Sequence, residues 1–387
     1  MSQSIRDAAA GHGGVAGLGA SELRALVRLQ RGDFAAVEAS LDGPPEKVNR
    51  LADACARSGL SVVFARALES SPFRPLLTPE RHRLLEERRS RQRERQQALG
   101  QALGRIADRF QTSGQRFLLL KGIYLARRFY GDAGGREFVD LDLLVPREDR
   151  ARASALLHEL GFVRRSRVLI GSSLTRYFVH AFDYRGHGAD VDLHWALSRH
   201  PSLRLDESRL WSRTASFAID GRPFGVLGDS DEVLFAVLSL LRDLERGRPK
   251  AKNVVDLIQI VASTDATLDW EALLAAGDGS RGPLVNVLGA CLDLCLAHDL
   301  APRLSVALSR HGGRRIAALP TGAPLHYWPS TLALGNKLWA ARAYDTSLPA
   351  WLAWWALSLP FRLAVHRPPR RAARTLEPRK EAQEPAR

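Results

Sequence analysis

An apolar, β-prone segment at residues 139–145 carries two acidic side chains, and it strongly limits what the surrounding chain can fold into. The segment reads VDLDLLV and predicts a buried strand. Side chains alternate across a strand, so Asp140 and Asp142 point to the same face, about 7 Å apart at roughly 3.3 Å of rise per residue. Two like charges on a buried strand are costly unless a cation lies between them. Carboxylate oxygens at this spacing suit Mg²⁺, which prefers oxygen ligands.

A second acidic strand is expected further along the chain, as part of a β-hairpin. Residues 175–184 and 189–197 have the alternation of two paired strands around a glycine-rich turn. On the second strand Asp190, Asp192 and His194 share one face, and apolar residues fill the other. Either acid is placed to complete a metal site. His194 is suited to a ligand contact, to orienting an acid, or to a structural hydrogen bond.

A tight turn before a helix predicts a site for anions. Residues 116–120 favour a strand, Lys121 and Gly122 follow, and the next residues have helical periodicity. Free N–H groups and the positive end of the helix dipole favour an anion at such a helix start. Lys121 adds a positive charge suited to a phosphate. A glycine-rich loop then brings Arg136 ahead of the acidic strand, where its guanidinium could hold phosphates or neutralise Asp140.

These motifs, in this order, resemble those of the uncharacterised nucleotidyltransferase family of the polymerase-β-like superfamily. The resemblance covers about eighty residues and rests on KG before a helix, on REFVDLDLLV, and on the later DLHW. In the superfamily a Gly-Ser pair usually begins the helix, and Lys121 and Gly122 stand in its place here. The resemblance selects Asp192 rather than Asp190 as the third acid, because Asp192 begins DLHW.

The resemblance implies an Mg²⁺-dependent enzyme that moves a nucleoside monophosphate from a triphosphate such as ATP to a hydroxyl acceptor. The acceptor is expected to be a small molecule or peptide rather than a nucleic acid. The implied catalytic residues and ligands of two Mg²⁺ ions are Asp140, Asp142 and Asp192, and the implied nucleotide-binding residues are Lys121, Gly122, Arg136 and His194. The segment at 250–256 is placed near the site, where acceptor binding and a paired core acid at Asp256 are both open. Two other functions stay open, namely an inactive relative that binds a nucleotide or partner, and a basic nucleic-acid-binding module.

The same patterns predict an α+β fold in which a small mixed sheet is flanked by helical regions. At 387 residues the chain is long enough for two or three domains of ordinary size. We expect a flexible leader at 1–20, an N-terminal helical region at 21–110, a catalytic core at 111–200, a mostly helical domain at 201–361 and a basic disordered tail at 362–387.

The basic composition constrains the partners only weakly. A net charge of +14 favours polyanions such as nucleotides and nucleic acids, but the basic residues are spread along the chain. The densest run, at 88–95, lies in a long helix predicted from Pro79 to Phe110. No aromatic residue interleaves these arginines as a stacking platform, so paired surface charges are the simpler interpretation.

The cysteines and the apolar runs indicate the compartment. Three cysteines are too few and too scattered for a disulfide scaffold, and no secretory signal is evident. The uncharged run at 346–361 is rich in tryptophan and shorter than the roughly 20 apolar residues that a spanning helix needs. We therefore expect a cytoplasmic protein whose Trp-rich segment packs on the helical domain.

Overall fold

The computed structural model describes residues 18–41, 46–131, 133–165, 180–198, 205, 207–245, 250–275 and 281–311. Most of the predicted leader, the Trp-rich segment and the basic tail lie outside these ranges. Within them the chain has an α+β fold with 13 α-helices, a five-stranded mixed sheet and a separate two-stranded hairpin. The predicted fold class is confirmed.

Four short helices begin the described chain: α1 (Ala20–Gln30), α2 (Phe34–Leu41), α3 (Glu46–Ser58) and α4 (Ser61–Ala67). In α1 and α3 the buried residues recur three and four positions apart, so each helix turns one apolar face inward. Arg28 of α1 donates to both carboxylate oxygens of Asp299, at 2.6 and 2.7 Å. The first helix is thus joined to the last part of the described chain.

The long helix α5 (Pro79–Thr112) ends within two residues of the predicted boundary. Thr78 and Pro79 begin it, and proline at the first helical position suits the fixed φ and missing N–H donor of that residue. Past its end Gly114 has φ +64°, the left-handed conformation that commonly terminates helices.

The basic run of α5 is engaged in local contacts. Arg88 donates to the backbone oxygen of Ala56 at 2.8 Å, and Arg91 pairs with Glu87 one turn away. One turn after Arg88, Gln92 donates to the backbone oxygen of Phe138 at 3.1 Å. The run therefore has the paired charges of a helix surface, and α5 supports the strand that follows Phe138.

The main sheet has the strand order β1-β2-β5-β4-β3. Its strands are β1 (Leu118–Leu120), β2 (Asp140–Leu144), β3 (Val163–Arg164), β4 (Ala181–Gly186) and β5 (Ala189–His194), with α6 (Gly122–Phe129) after β1 and α7 (Arg150–Glu159) after β2. Among the strands that the structure describes, β2 and β5 are the one parallel pair. The turn from β4 to β5 places His187 and Gly188 at positive φ, as a tight hairpin requires.

A short helix, α8 (Glu207–Ser212), and a hairpin of β6 (Ala215–Ile219) and β7 (Arg222–Val226) follow. The remaining helices are α9 (Asp229–Glu245), α10 (Ala251–Thr264), α11 (Trp270–Leu274), α12 (Arg281–Cys295) and α13 (Pro302–Arg310). Buried apolar residues from Leu18 to Ala307 form a continuous core that joins the helices to the sheet. All three cysteines are buried and free. In the described part of the chain no helix has both the length and the hydrophobicity to cross a bilayer.

Candidate functional site

The turn between β1 and α6 has a backbone conformation that residues with a side chain rarely adopt. Lys121 has φ +37° and ψ −142°, and Gly122 has φ +43°. A Cβ on Gly122 would lie 3.3 Å from the backbone oxygen of Asp140, so the glycine lets the turn approach β2 closely. The first turn of α6, whose N–H groups lack partners within the helix, therefore begins beside the acidic strand.

The acids meet because β2 and β5 are parallel neighbours. Asp142 is the register partner of Asp192, and Asp140 is the register partner of Asp190 one pleat away. In both strands these acids occupy the partly exposed positions, while the alternate positions are buried. Two strands that are distant in sequence thus bring the predicted acids to one face of the sheet.

His194 completes a compact group of possible ligands. Its Nε2 lies 3.0 Å from Oδ1 of Asp142, and one ligand atom from each of Asp142, Asp192 and His194 lies within 4.8 Å of the other two. The Nδ1 of His194 is buried without a hydrogen-bond partner among the described residues. Two carboxylates and an imidazole suit a divalent cation. Asp140 lies outside this closest group, and Asp190 is near Arg165, with 3.6 Å between their charged atoms.

Burial and mutual repulsion make the acids difficult to ionise together. Burial and the charge of Asp142 raise the pKa of Asp140 to about 6. Burial and the charges of Asp142 and Asp140 raise the pKa of Asp192 well above its usual value. Burial raises the pKa of Asp142 as well, but the hydrogen bond with His194 and the positive charges of Lys121 and Arg242 together outweigh it, and the pKa of Asp142 falls to about 2. A bound cation would stabilise all three carboxylates, so the cluster has the electrostatics of a cation site.

Basic side chains from three elements surround the acids. The Nζ of Lys121 lies 4.5 Å from the ring centroid of Phe235 in α9, and burial together with Arg242 lowers the pKa of Lys121 to about 8. Burial and the charge of Arg136 lower the pKa of Lys252 to about 8. Sequence reasoning placed the segment of Lys252 near the site but gave Arg242 no role. The available signal was that Arg242 is the one basic residue in the sequence of α9 and directly follows its apolar stretch.

Arg136 binds a partner that the sequence did not pair with it. Its Nε and Nη2 donate to the two carboxylate oxygens of Asp256 in α10, at 2.7 and 2.6 Å, and both side chains are buried. The hydroxyl of Tyr130 donates to the same Asp256 at 2.7 Å. The guanidinium therefore joins the segment before β2 to the helical region. Asp256 is a paired core acid, one of the two interpretations left open by the sequence.

Comparison with known proteins gives one match by family. A family model described as an uncharacterised nucleotidyltransferase matches residues 44–281, more than half of the chain and a range that contains the whole site. No curated protein matches the chain significantly.

Two solved structures are similar to this chain only at a low level. The antibiotic-resistance factor ANT(2'')-Ia has a TM-score of 0.31 and 13% identity, over 54% of this chain and 94% of that one. An antigenic nucleotidyltransferase-like protein from Paracoccidioides brasiliensis has a TM-score of 0.30 and 16% identity, over 55% of this chain and 93% of that one. At these TM-scores we draw nothing about function from either structure.

Proposed function

Because the chain belongs to the uncharacterised nucleotidyltransferase family, we propose that it transfers a nucleoside monophosphate from an Mg²⁺-bound triphosphate to a hydroxyl group of a small molecule or peptide. The observation that carries this proposal is the register pairing of Asp142 with Asp192 on parallel strands. The helix start at Lys121 and Gly122 approaches the same strand. A cation site and an anion site therefore adjoin, as a metal-bound triphosphate requires.

In this proposal Asp140, Asp142 and Asp192 hold two Mg²⁺ ions, and His194 lies against Asp142. The donor set fits, because carboxylate oxygens are the ligands that Mg²⁺ prefers and the repulsion among these acids is relieved by positive charge. Bound ions would neutralise the phosphate oxygens and lower the pKa of the acceptor hydroxyl.

The side chains of the protein bind the triphosphate and move the proton. Lys121 and the N–H groups at the start of α6 bind phosphate oxygens, and Gly122 keeps that turn close to the acids. The acceptor oxygen attacks the α-phosphorus, the bond to pyrophosphate breaks, and pyrophosphate leaves. Asp192 takes the hydroxyl proton, because it is the acid on the acceptor side and an ionised carboxylate can act as a general base.

Two further residues act indirectly. His194 holds Asp142 in place through their 3.0 Å hydrogen bond. Arg136 is committed to Asp256, so in this proposal it positions the loop before β2 rather than a phosphate.

A small acceptor is favoured over a nucleic acid by the contacts of the basic helix α5. Arg88 donates to the backbone oxygen of Ala56, and Arg89 pairs with Glu69 and Glu86, so the start of the basic run is engaged within the protein. The free, buried cysteines fit the reducing cytoplasm in which we place the protein.

The test is transfer of a labelled phosphate. The full chain is incubated with each of four α-³²P-labelled nucleoside triphosphates, Mg²⁺ and a cell extract, and pyrophosphate release and labelled products are measured. Asp142→Asn keeps the shape of the side chain but loses its charge, so we expect it to abolish both signals. Asp220→Asn is the control, because Asp220 lies exposed in the β6–β7 turn at φ +51°, a conformation that asparagine tolerates.

Retained transfer in Asp142→Asn contradicts the assignment of the acids. Triphosphate binding without pyrophosphate release contradicts transfer and supports an inactive nucleotide-binding relative. Metal-independent binding of nucleic acid that weakens steeply with salt supports the basic module instead.

A further inference from the structure

One face of α9 lies against the site over about three turns. Glu232, Phe235, Ser239 and Arg242 are spaced by three, four and three residues, which places them on one side of a helix. Phe235 packs against the ammonium of Lys121, and Glu232 is an electrostatic neighbour of the same lysine. This face therefore extends from the helix start at Lys121 to the position of Arg242.

Arg242 reaches the histidines beside the acids. Its Nη1 donates to Nε2 of His180 at 2.9 Å, and the ring of His180 lies 5.8 Å from the ring of His194. His180 immediately precedes β4, whose neighbour β5 carries Asp192. The guanidinium is thus held at the β5 side of the acid cluster.

The Nε donor of Arg242 is unsatisfied. It is buried and has no hydrogen-bond partner in the described part of the chain. Leaving such a donor without an acceptor is costly, and an anionic oxygen relieves the cost. The planar guanidinium, which presents donors in a fixed fork, matches the oxygens of a phosphate better than a lysine does.

Strand register places Arg242 on the β5 side of the cluster. His180, which accepts from Arg242, accepts through its backbone oxygen from the N–H of Trp195, and the next residue, Ala181, is the register partner of His194. The turn at Gly122 lies instead against the backbone of Asp140 in β2. Arg242 therefore lies towards the strand that carries Asp192, where the acceptor and the transferred phosphate meet in the proposed reaction.

We propose that Arg242, held by His180, binds a non-bridging oxygen of the α-phosphate, the group that is transferred. This inference rests on the proposed function and adds a phosphate-binding residue from the helical region. In this arrangement the lysines near Asp140 bind the β- and γ-phosphates, which leave as pyrophosphate.

Binding measurements test this assignment without turnover. The affinities of the full chain for each of four α,β-methylene nucleoside triphosphates, and for pyrophosphate, are measured by calorimetry with Mg²⁺. We expect Arg242→Gln to lower the affinity for the most tightly bound triphosphate analogue by about 10- to 100-fold, which is the effect of losing one charge-assisted hydrogen bond. Pyrophosphate affinity should stay within about 2-fold, because no α-phosphate is present.

Two further variants keep the result interpretable. Arg222→Gln is the matched control, because Arg222 is bonded to Asp108 at 2.6 Å, away from the acids, and should bind like the wild type. Arg242→Lys keeps the positive charge but loses the planar guanidinium, so it should lower the affinity for the analogue by a smaller factor. If Arg242→Gln does not fold, Arg242→Lys provides the test. Unchanged analogue affinity in the Arg242 variants, or an equal loss of pyrophosphate affinity, overturns this inference alone. A wild-type chain that binds none of the analogues overturns the proposed function as well.

Discussion

Asp142 and Asp192 are direct register partners on two parallel strands, and both carboxylates lie on the same face of the sheet. Parallel strands need a long connection, so the chain makes α7, β3 and β4 before it returns to pair β5 with β2. The fold therefore holds the two carboxylates close enough to repel each other. This repulsion should lower the stability of the metal-free protein, which can be measured.

Removing one of these charges should stabilise the metal-free protein. Burial and the neighbouring acids raise the pKa of Asp192, so its contribution to stability is present below the ordinary carboxylate pKa and is lost as the pH rises through the raised value. In EDTA at pH 8 we expect Asp192→Asn to melt higher than the wild type, by about 2–4 °C for each kcal/mol gained. Mg²⁺ should raise the melting temperature of the wild type but not of the variant.

Asp190→Asn is the matched comparison for this experiment, because Asp190 is the competing acid on β5. Its carboxylate lies near Arg165 and Arg185, with 3.6 and 3.8 Å between charged atoms, so removing it should not raise the melting temperature. If Mg²⁺ stabilises Asp192→Asn but fails to stabilise Asp190→Asn, then Asp190 is the third ligand.

A second charge relationship involves Glu232. Its Oε2 is buried without a hydrogen-bond partner among the described residues, and burial raises the pKa of the carboxyl to about 7. The ordinary value is 4.5, so the stabilising protonated form is fully present below pH 4.5 and is lost as the pH rises through 7. We expect Glu232→Gln to match the wild type near pH 4 and to exceed its free energy of unfolding by up to about 3 kcal/mol at pH 8. Urea unfolding at both pH values measures this, and a constant difference across pH contradicts it.

The features that sequence predicted correctly are those that neighbouring residues decide. Apolar alternation identified β2 and β5, and the glycine-rich turn before β5 identified the β4–β5 hairpin, where His187 and Gly188 have positive φ. The sequences of β2 and β5 did not predict the register in which the two strands pair. The predicted acid cluster required only that they be neighbours on one face.

The partners of buried charges could not be predicted, because tertiary packing decides them. Arg136 and Asp256 are 120 residues apart, and Arg28 and Asp299 are 271 apart. The sequence indicated that Asp256 could be a paired core acid, but no local pattern identifies Arg136 as its partner. The sequence did not predict a role for Arg242 for the same reason, because only the folded position of α9 brings this residue near the acids.

The glycine in the turn before α6 should be essential to the fold of the site. Gly122 has φ +43°, and an added Cβ would lie 3.3 Å from the backbone oxygen of Asp140. We expect Gly122→Ala to reduce the free energy of unfolding by about 1–3 kcal/mol and to weaken triphosphate binding. Gly100→Ala in α5 is the control, because a Cβ there meets nothing within 4 Å and alanine favours a helix by about 0.5–1 kcal/mol. Equal stability of Gly122→Ala and the wild type would contradict this view of the turn.

The buried pair of Arg136 and Asp256 should be structural rather than nucleotide-binding. Removing one partner leaves a buried charge, so we expect Arg136→Met to lower the free energy of unfolding by about 3–5 kcal/mol. The double variant Arg136→Met, Asp256→Leu should recover much of that loss, because no buried charge remains unpaired. Denaturant unfolding of the single and double variants measures the coupling. If Arg136→Met is stable but has lost affinity for triphosphates, the structural role is contradicted and Arg136 is a phosphate-binding residue.

His194 should make the site select among metals. Its imidazole nitrogen joins the oxygens of Asp142 and Asp192 within 4.8 Å, and nitrogen ligands favour Co²⁺ over Mg²⁺, which prefers oxygen. We therefore expect the nucleotide-free protein to bind Co²⁺ more tightly than Mg²⁺. His194→Gln should lower the affinity for Co²⁺ by about 10- to 100-fold and the affinity for Mg²⁺ by a smaller factor. Calorimetry gives the affinities, and the visible spectrum of Co²⁺ reports the loss of a nitrogen ligand. His158→Gln, on the exposed face of α7, should alter neither. A Co²⁺ spectrum that is the same in the wild type and His194→Gln would show that the histidine does not bind Co²⁺ and only orients Asp142, as proposed with Mg²⁺.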